Sequence, residues 1–160
     1  MKSRNIIVAI ECFVKKDGKY LMLKRNSDKK ILPGVWMAPG GKIESNEGLF
    51  ECARREILEE TGLKIKNLKV KAIGNGYLTD LDTDIFFLFI FADYAGGEVI
   101  KNPPDGKLMW FSPNEIIKLD DLLYEIKEIA PLLFDGSDKI VSYKVTYGKG
   151  NELLRFSLDN

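Results

Sequence analysis

Residues 5–14 (NIIVAIECFV) are rich in β-branched and aromatic side chains and read as a strand. Lys15-Lys16-Asp17-Gly18 is a hairpin turn signal, and residues 19–24 supply the partner strand. The polar stretch 25–31 reads as a loop. Between 48 and 61 strong helix formers take over. Leu49, Cys52, Ala53 and Ile57 gather on one face that can bury, and Gly62 offers a left-handed C-terminal cap. Residues 67–78 and 84–94 read as two long strands joined by 79–83, which carries Asp80 and Asp82. The run IFFLFIF at 85–91 is too apolar for a strand with a solvated face, so it predicts a central strand buried on both sides. Ala95-Gly96-Gly97 predicts a turn, 102–106 a loop with Pro103 and Pro104, and 107–111 a short strand containing Trp110. A brief helix over 113–119 has Ser112 as its cap. A second main helix within 122–133 puts Leu122, Ile126, Ile129, Ala130 and Leu133 on one face, with Pro131 blurring its limits. Residues 139–147 and 152–158 form a hairpin across Gly148-Lys149-Gly150-Asn151. The sum is an α+β fold in one domain over 1–160: a central mixed β-sheet with the two main helices on its faces, an αβα sandwich.

Composition narrows the class. A chain of 160 residues with 45% hydrophobic and 30% charged positions can build one sizeable core as an ordinary soluble protein. Lys plus Arg number 24 and Asp plus Glu 24, so no global basic field invites duplex nucleic acid or a membrane surface. A small triphosphate with its own metal remains compatible. Cys12 and Cys52 fall in a strand and a helix and read as small buried hydrophobes rather than a disulfide or metal pair. The basic start MKSRN precedes a short apolar run that Glu11 interrupts, with no small-residue cleavage site behind it, which does not read as a leader peptide. No stretch approaches membrane-spanning length, and a reducing cytoplasm is the expected compartment. The absence of histidine removes His-based zinc sites and His general bases.

The chemistry concentrates on the helix at 48–61. Glu56, Glu59 and Glu60 stand at i, i+3 and i+4, so three carboxylates share one face. An exposed i,i+4 pair of like charges costs about 0.2–0.5 kcal/mol, and only Arg54 and Arg55 lie near enough to offset it. Glutamates so spaced are common on solvated helix faces. A hard divalent cation would also gather them, since Mg²⁺ takes carboxylate oxygen. The segment just before favours the cation. LPGVWMAPGGKIE combines Pro33, Gly34, Pro39, Gly40 and Gly41 with Trp36. Glycines let backbone groups approach a ligand closely, and such a loop feeding a charged helix can cradle phosphate and metal.

Residues 41–63 resemble the Nudix box, G-x5-E-x7-R-E-U-x-E-E-x-G-U with U a bulky aliphatic. Gly41, Glu47, Arg55, Glu56, Ile57, Glu59, Glu60, Gly62 and Leu63 meet it without a miss. Average residue usage gives such a match by chance on the order of once in ten million chains of this length. Asn46 and Gly48 stand where family members often have glycine and Thr or Ser; neither position carries chemistry. The resemblance implies the Nudix fold and hydrolysis of a nucleoside diphosphate linked to another group. It implies that Gly40, Glu56, Glu59 and Glu60 hold Mg²⁺, for which Mn²⁺ can substitute. It makes Glu59 or Glu56 the base, with Arg55 orienting Glu47 or a metal-binding glutamate. Arg25, Gly41 and Lys42 fall to the substrate side, and Asp105 stands where some members keep a metal-site glutamate one methylene longer.

Beyond the box, GVWMAPGGK, KLMWFSPNEI and the run from Asp120 through PLLFDG into KIVSYKVTY are similar to MutT-like hydrolases of oxidised purine nucleoside triphosphates. That similarity implies cleavage of a purine nucleoside triphosphate such as 8-oxo-dGTP to monophosphate and pyrophosphate, in a monomer or homodimer. Trp36 and Met37 occupy the base-side positions, Trp36 reading more readily as a core residue than as a base-stacking platform and Met37 standing where the eukaryotic enzyme has a base-reading asparagine, so selectivity is looser or different. Glu125 is the nearest match to that enzyme's paired acids; an exposed helix glutamate is its other reading. ADP-ribose hydrolysis, hydrolysis of RNA 5′-triphosphate ends and a catalytically silent nucleotide-binding module are the rival functions. The first lacks the proline that usually follows the box, and the last has no need of three glutamates.

Overall fold

The computed structural model describes residues 4–159. Met1, Lys2, Ser3 and Asn160 lie outside that range, and with them the first three residues of the basic start in the leader-peptide reading and both expected domain limits. The apolar run IFFLFIF lies within β6 (Thr83–Gly97), the middle of the sheet. Its neighbours are β1 (Ile6–Lys16), parallel to it, and β5 (Leu63–Leu78), antiparallel. Phe89 and Ile90 are fully buried on opposite faces, as a two-sided central strand requires. Outward from β1 lie β2 (Lys19–Arg25) and the two-residue β3 (Trp36–Met37). The short β4 (Gly40–Lys42) also pairs with β1, and β7 (Gly106–Phe111) pairs with β2. Outward from β5 lie β8 (Val141–Tyr147), parallel, and β9 (Leu153–Leu158), antiparallel.

Two layers of side chains cover this mixed sheet. On one face α1 (Leu49–Thr61) presses Cys52, Ala53 and Ile57 onto Ile10, Cys12 and Ile90. On the other, α2 (Pro113–Ile116) and α3 (Tyr124–Leu133) contribute Ile116, Ile126, Ile129 and Leu133 to a core built around Phe13, Phe89 and Tyr143. This is the expected αβα sandwich. Both cysteines are buried and free. Gly48 starts α1, its amide donating to Glu51 Oε2 at 2.8 Å, and Gly62 ends it at φ 79°. Ser112 caps α2 by accepting from the Glu115 amide. No helix among the described residues is long and apolar enough to cross a membrane.

Three local expectations are corrected. Ala95-Gly96-Gly97 does not reverse the chain: Gly96 and Gly97 pair with Lys64 and Leu63, so β6 and β5 both run longer. A Cβ on Gly97 would stand 2.3 Å from the Gly62 carbonyl oxygen, so glycine serves close strand approach there. The α2 helix stops at Ile116 instead of running to 119. Within the Gly-Pro segment, β3 and β4 are strands too short to leave a period in the sequence.

Candidate active site

Pairing β4 to β1 places Gly40 opposite Glu11 and Gly41 opposite Ile10, at the N-terminal side of the sheet's centre. The α1 helix packs beneath β4, so its glutamates come up beside the two glycines. A Cβ on Gly40 would meet the Ile10 carbonyl oxygen at 2.0 Å, and one on Gly41 the Glu56 carboxylate at 2.3 Å. Glycine is what lets strand and acids share this space. The Gly40 amide donates to Glu60 Oε2 at 3.0 Å. A cleft of about 420 Å³ opens here. One wall is polar, with Gly40, Gly41, Lys42, Glu56 and Glu60; the other is apolar, with Leu32, Met37, Ile85 and Phe87; Arg25 and Asp105 also line it.

Arg55 organises the acids from behind. Its Nε and Nη2 clasp Glu47 at 2.6 and 2.9 Å, Nη1 reaches Glu56 at 2.8 Å and Glu59 at 3.4 Å, and Nη2 also donates to the Lys42 carbonyl. Such a forked, charge-assisted arrangement fixes side chains better than single contacts do. The Arg55 bonds, with the Glu44 amide, hold the Glu47 carboxyl down to about 2. Glu60 goes the other way: burial, then the Glu56 charge, push its carboxyl up to about 8, the Gly40 amide only partly opposing. Glu56 is raised too, by burial first, with Arg55 offsetting.

These shifts set a sign. A carboxyl whose folded value exceeds its unfolded one contributes stability that is present at low pH and lost as pH rises through the folded value. In chelator, the protein's melting temperature should therefore fall as pH rises from about 5 to about 9, following Glu60 together with the buried Glu125 and Glu11, and a divalent cation should remove the Glu60 part of that slope. Thermal denaturation at graded pH with and without Mg²⁺ checks this; a melting temperature that climbs over the window in chelator would contradict it.

Gly40, Gly41, Lys42, Arg25, Met37, Asp105, Glu56 and Glu60 meet in the cleft. Glu59 does not line it; its side chain is 60% exposed and lies on Arg55. Two expected base-side contacts do not line it. Trp36 packs edge-on against Phe111, with Lys24 over its ring, because the alternation of β3 turns it away from Met37. Glu125 is fully buried in the first turn of α3 and accepts from the Tyr147 hydroxyl; it is neither an exposed glutamate nor on the cleft surface. Burial raises its carboxyl to about 7. Asp105 is engaged by Lys29, Nζ to Oδ1 2.5 Å. Lys29 and the fully buried Glu11 are the polar residues that sequence reasoning missed. For Glu11 the signal was present, since a carboxylate inside an otherwise buried strand needs a partner.

The donors of the polar wall are carboxylate and backbone oxygen with no imidazole or thiolate, which fits a hard divalent cation. Among the described residues no three acidic side chains already converge as a ligand cluster, because Arg55 holds Glu56 and Glu59.

The NUDIX domain profile matches residues 4–133 of the chain. The chain is 35% identical over 151 residues to the Nudix hydrolase YvcI of Bacillus subtilis, covering 92% of this chain and 91% of that one. It is 27% identical over 133 residues to the nucleoside triphosphatase NudI of Escherichia coli, covering 75% and 89%. In structure it is similar to the MutT protein of Bacillus halodurans, with a TM-score of 0.82 at 30% identity, covering 96% and 97%.

Proposed function

The chain belongs to the Nudix hydrolase family, and from that premise we propose that it is a Mg²⁺-dependent pyrophosphohydrolase of purine nucleoside triphosphates. Oxidised purines such as 8-oxo-dGTP fall within its range, and the products are monophosphate and pyrophosphate. Members of the family act on nucleotide derivatives and generally use a divalent metal. The observation that carries the finer reading is the two-walled cleft, with acids and glycine backbone facing Met37, Leu32 and Phe87 across one small volume. A ligand with a charged polyphosphate and a flat apolar ring matches both walls. The similarity to the nucleoside triphosphatase NudI supports a nucleoside triphosphate as the substrate.

Glu56, Glu59, Glu60 and Gly40 would hold Mg²⁺, which supplies charge neutralisation on the phosphates and a bound water of lowered pKa. The Arg55 fork keeps Glu56 and Glu59 oriented between turnovers. Arg25 also lines the cleft, where its guanidinium charge suits a phosphate. Lys42 adds a second cation. Met37 gives the base apolar contact and no donor–acceptor edge, so discrimination among purines is modest.

Turnover of a panel of nucleotides, canonical, oxidised and ADP-ribose, compared by kcat/KM tests this. A purine triphosphate should lead the panel and release pyrophosphate. In EDTA turnover should vanish while the circular dichroism spectrum stays unchanged. ADP-ribose outcompeting every triphosphate, or full turnover in chelator, would overturn the reading.

A further inference from the structure

Glu11 on β1 and Glu125 on α3 are both fully buried and interact electrostatically. One oxygen of each is engaged: Glu11 Oε2 accepts the Ala38 amide at 3.3 Å, and Glu125 Oε2 accepts the Tyr147 hydroxyl. The other oxygen of each, Oε1, has no partner among protein groups, and neither has the hydroxyl of Tyr143. Glu11 shares its face of β1 with Phe13, whose ring lies 5.5 Å from Phe89; Phe89 lies 5.9 Å from Tyr143; and Tyr143 shares its face of β8 with Tyr147, the partner of Glu125, so the three orphaned atoms belong to one layer on one side of the sheet. Buried polar atoms are rarely left unpaired, and an internal water typically makes about three hydrogen bonds.

The engaged oxygen of Glu11 matters to the site. Ala38 lies between Met37 of the apolar wall and Gly40 of the polar wall. Ala38 and Pro39 form the link between β3 and β4: Pro39 has no amide, its carbonyl takes the Cys12 amide at 2.8 Å, and the Gly40 amide goes to Glu60. Ala38 is fully buried, so its amide depends on the Glu11 carboxylate. We propose that Glu11, Glu125 and Tyr143 enclose one structural water, and that this hydrated acid pair positions the 37–41 loop and thereby the distance between the two walls of the cleft. Glu11 is then a positioning residue that never touches substrate, and Glu125 acts through it.

The kinetic arm of the test rests on the proposed activity; the structural arm does not. A crystal structure at a resolution that orders internal water should show one water bonded to Glu11 Oε1, Glu125 Oε1 and the Tyr143 hydroxyl. In Glu11→Leu that water should be gone and the 37–41 loop displaced. The melting temperature should fall, because the buried Ala38 amide is left without an acceptor. In the same variant kcat/KM for the preferred nucleotide should fall about tenfold or more, as the displaced Ala38 moves one wall of the cleft against the other. Glu11→Gln keeps an acceptor for Ala38 and should stay within about threefold of the parent. Tyr143→Phe keeps the ring and removes one partner, so it should lose or weaken the water even if Glu11→Leu does not fold. No water at that position in the parent, an unchanged water in Tyr143→Phe, or an undisplaced loop in Glu11→Leu overturns the proposal. Equal loss of activity in Glu11→Gln and Glu11→Leu overturns the positioning role.

Discussion

Glu60→Gln should lose at least about 10²-fold in kcat, the scale of removing one strong electrostatic element from a site, while becoming the more stable protein at alkaline pH. Both effects come from one carboxyl. In the folded protein Glu60 is half-buried, accepts the Gly40 amide and faces the charges of Glu56 and Asp105. Burial and those neighbours make its ionised form costly without a cation, which is the property a cation-holding group has. Glutamine keeps the length and an oxygen for the Gly40 amide, so the loop is not released. It cannot carry the charge that metal binding uses. At about pH 5 the parent's Glu60 is already neutral and the two proteins should melt together. At about pH 9 the parent must ionise it, and the variant should melt higher in chelator. Paired melting curves and single-substrate kinetics in Mg²⁺ separate the cases. A variant that retains full kcat, or melts lower across the whole range, would make Glu60 a structural residue.

The helix that carries these acids was legible because everything that builds it is local. Helix formers, the apolar stripe of Cys52, Ala53 and Ile57, and a left-handed Gly62 all act within a few residues. The central position of β6 was legible for a similar reason, since its apolar content leaves no solvated face. What escaped is non-local. The parallel registers of β1 on β6 and β5 on β8 join residues far apart in the chain, and no local pattern fixes them. Glu125 finds its partner in Tyr147, 22 positions away, so its helical spacing alone leaves it free to be exposed, functional or buried. Glu11 reads as a break in an apolar strand until Ala38 arrives from the loop. Trp36 and Met37 share a strand of two residues, too short for alternation to say which one faces the cleft. Gly96 and Gly97 carry the composition of a turn but pair with β5, and Gly97 serves a close approach to Gly62.

Gly40 and Gly41, adjacent in sequence, should respond to alanine in different currencies. Neither has positive φ, so conformational freedom is not the reason for either glycine; space is. At Gly40 the new Cβ would lie 2.0 Å from the Ile10 carbonyl oxygen and 3.0 Å from the Glu11 Cα. Those are backbone atoms of the paired strand, and relief requires β4 to part from β1. Overpacking of this kind typically costs about 1–3 kcal/mol, which for a chain of this size lowers the melting temperature by roughly 2–4 °C per kcal/mol. At Gly41 the three atoms nearest the new Cβ all belong to the end of the Glu56 side chain, the closest at 2.3 Å. That carboxylate can swing aside, so stability should change by less than about 0.5 kcal/mol. Swinging aside takes it from the Arg55 Nη1 that holds it at 2.8 Å and from its place beside Glu60. Since a displacement of about 1 Å can cost 10²-fold in rate, Gly41→Ala should lose at least about tenfold in kcat/KM with its fold intact. Melting temperature and kcat/KM measured on both variants give the comparison. If Gly41→Ala is destabilised as much as Gly40→Ala, or turns over as fast as the parent, the placement of Glu56 against the glycine strand does not limit catalysis.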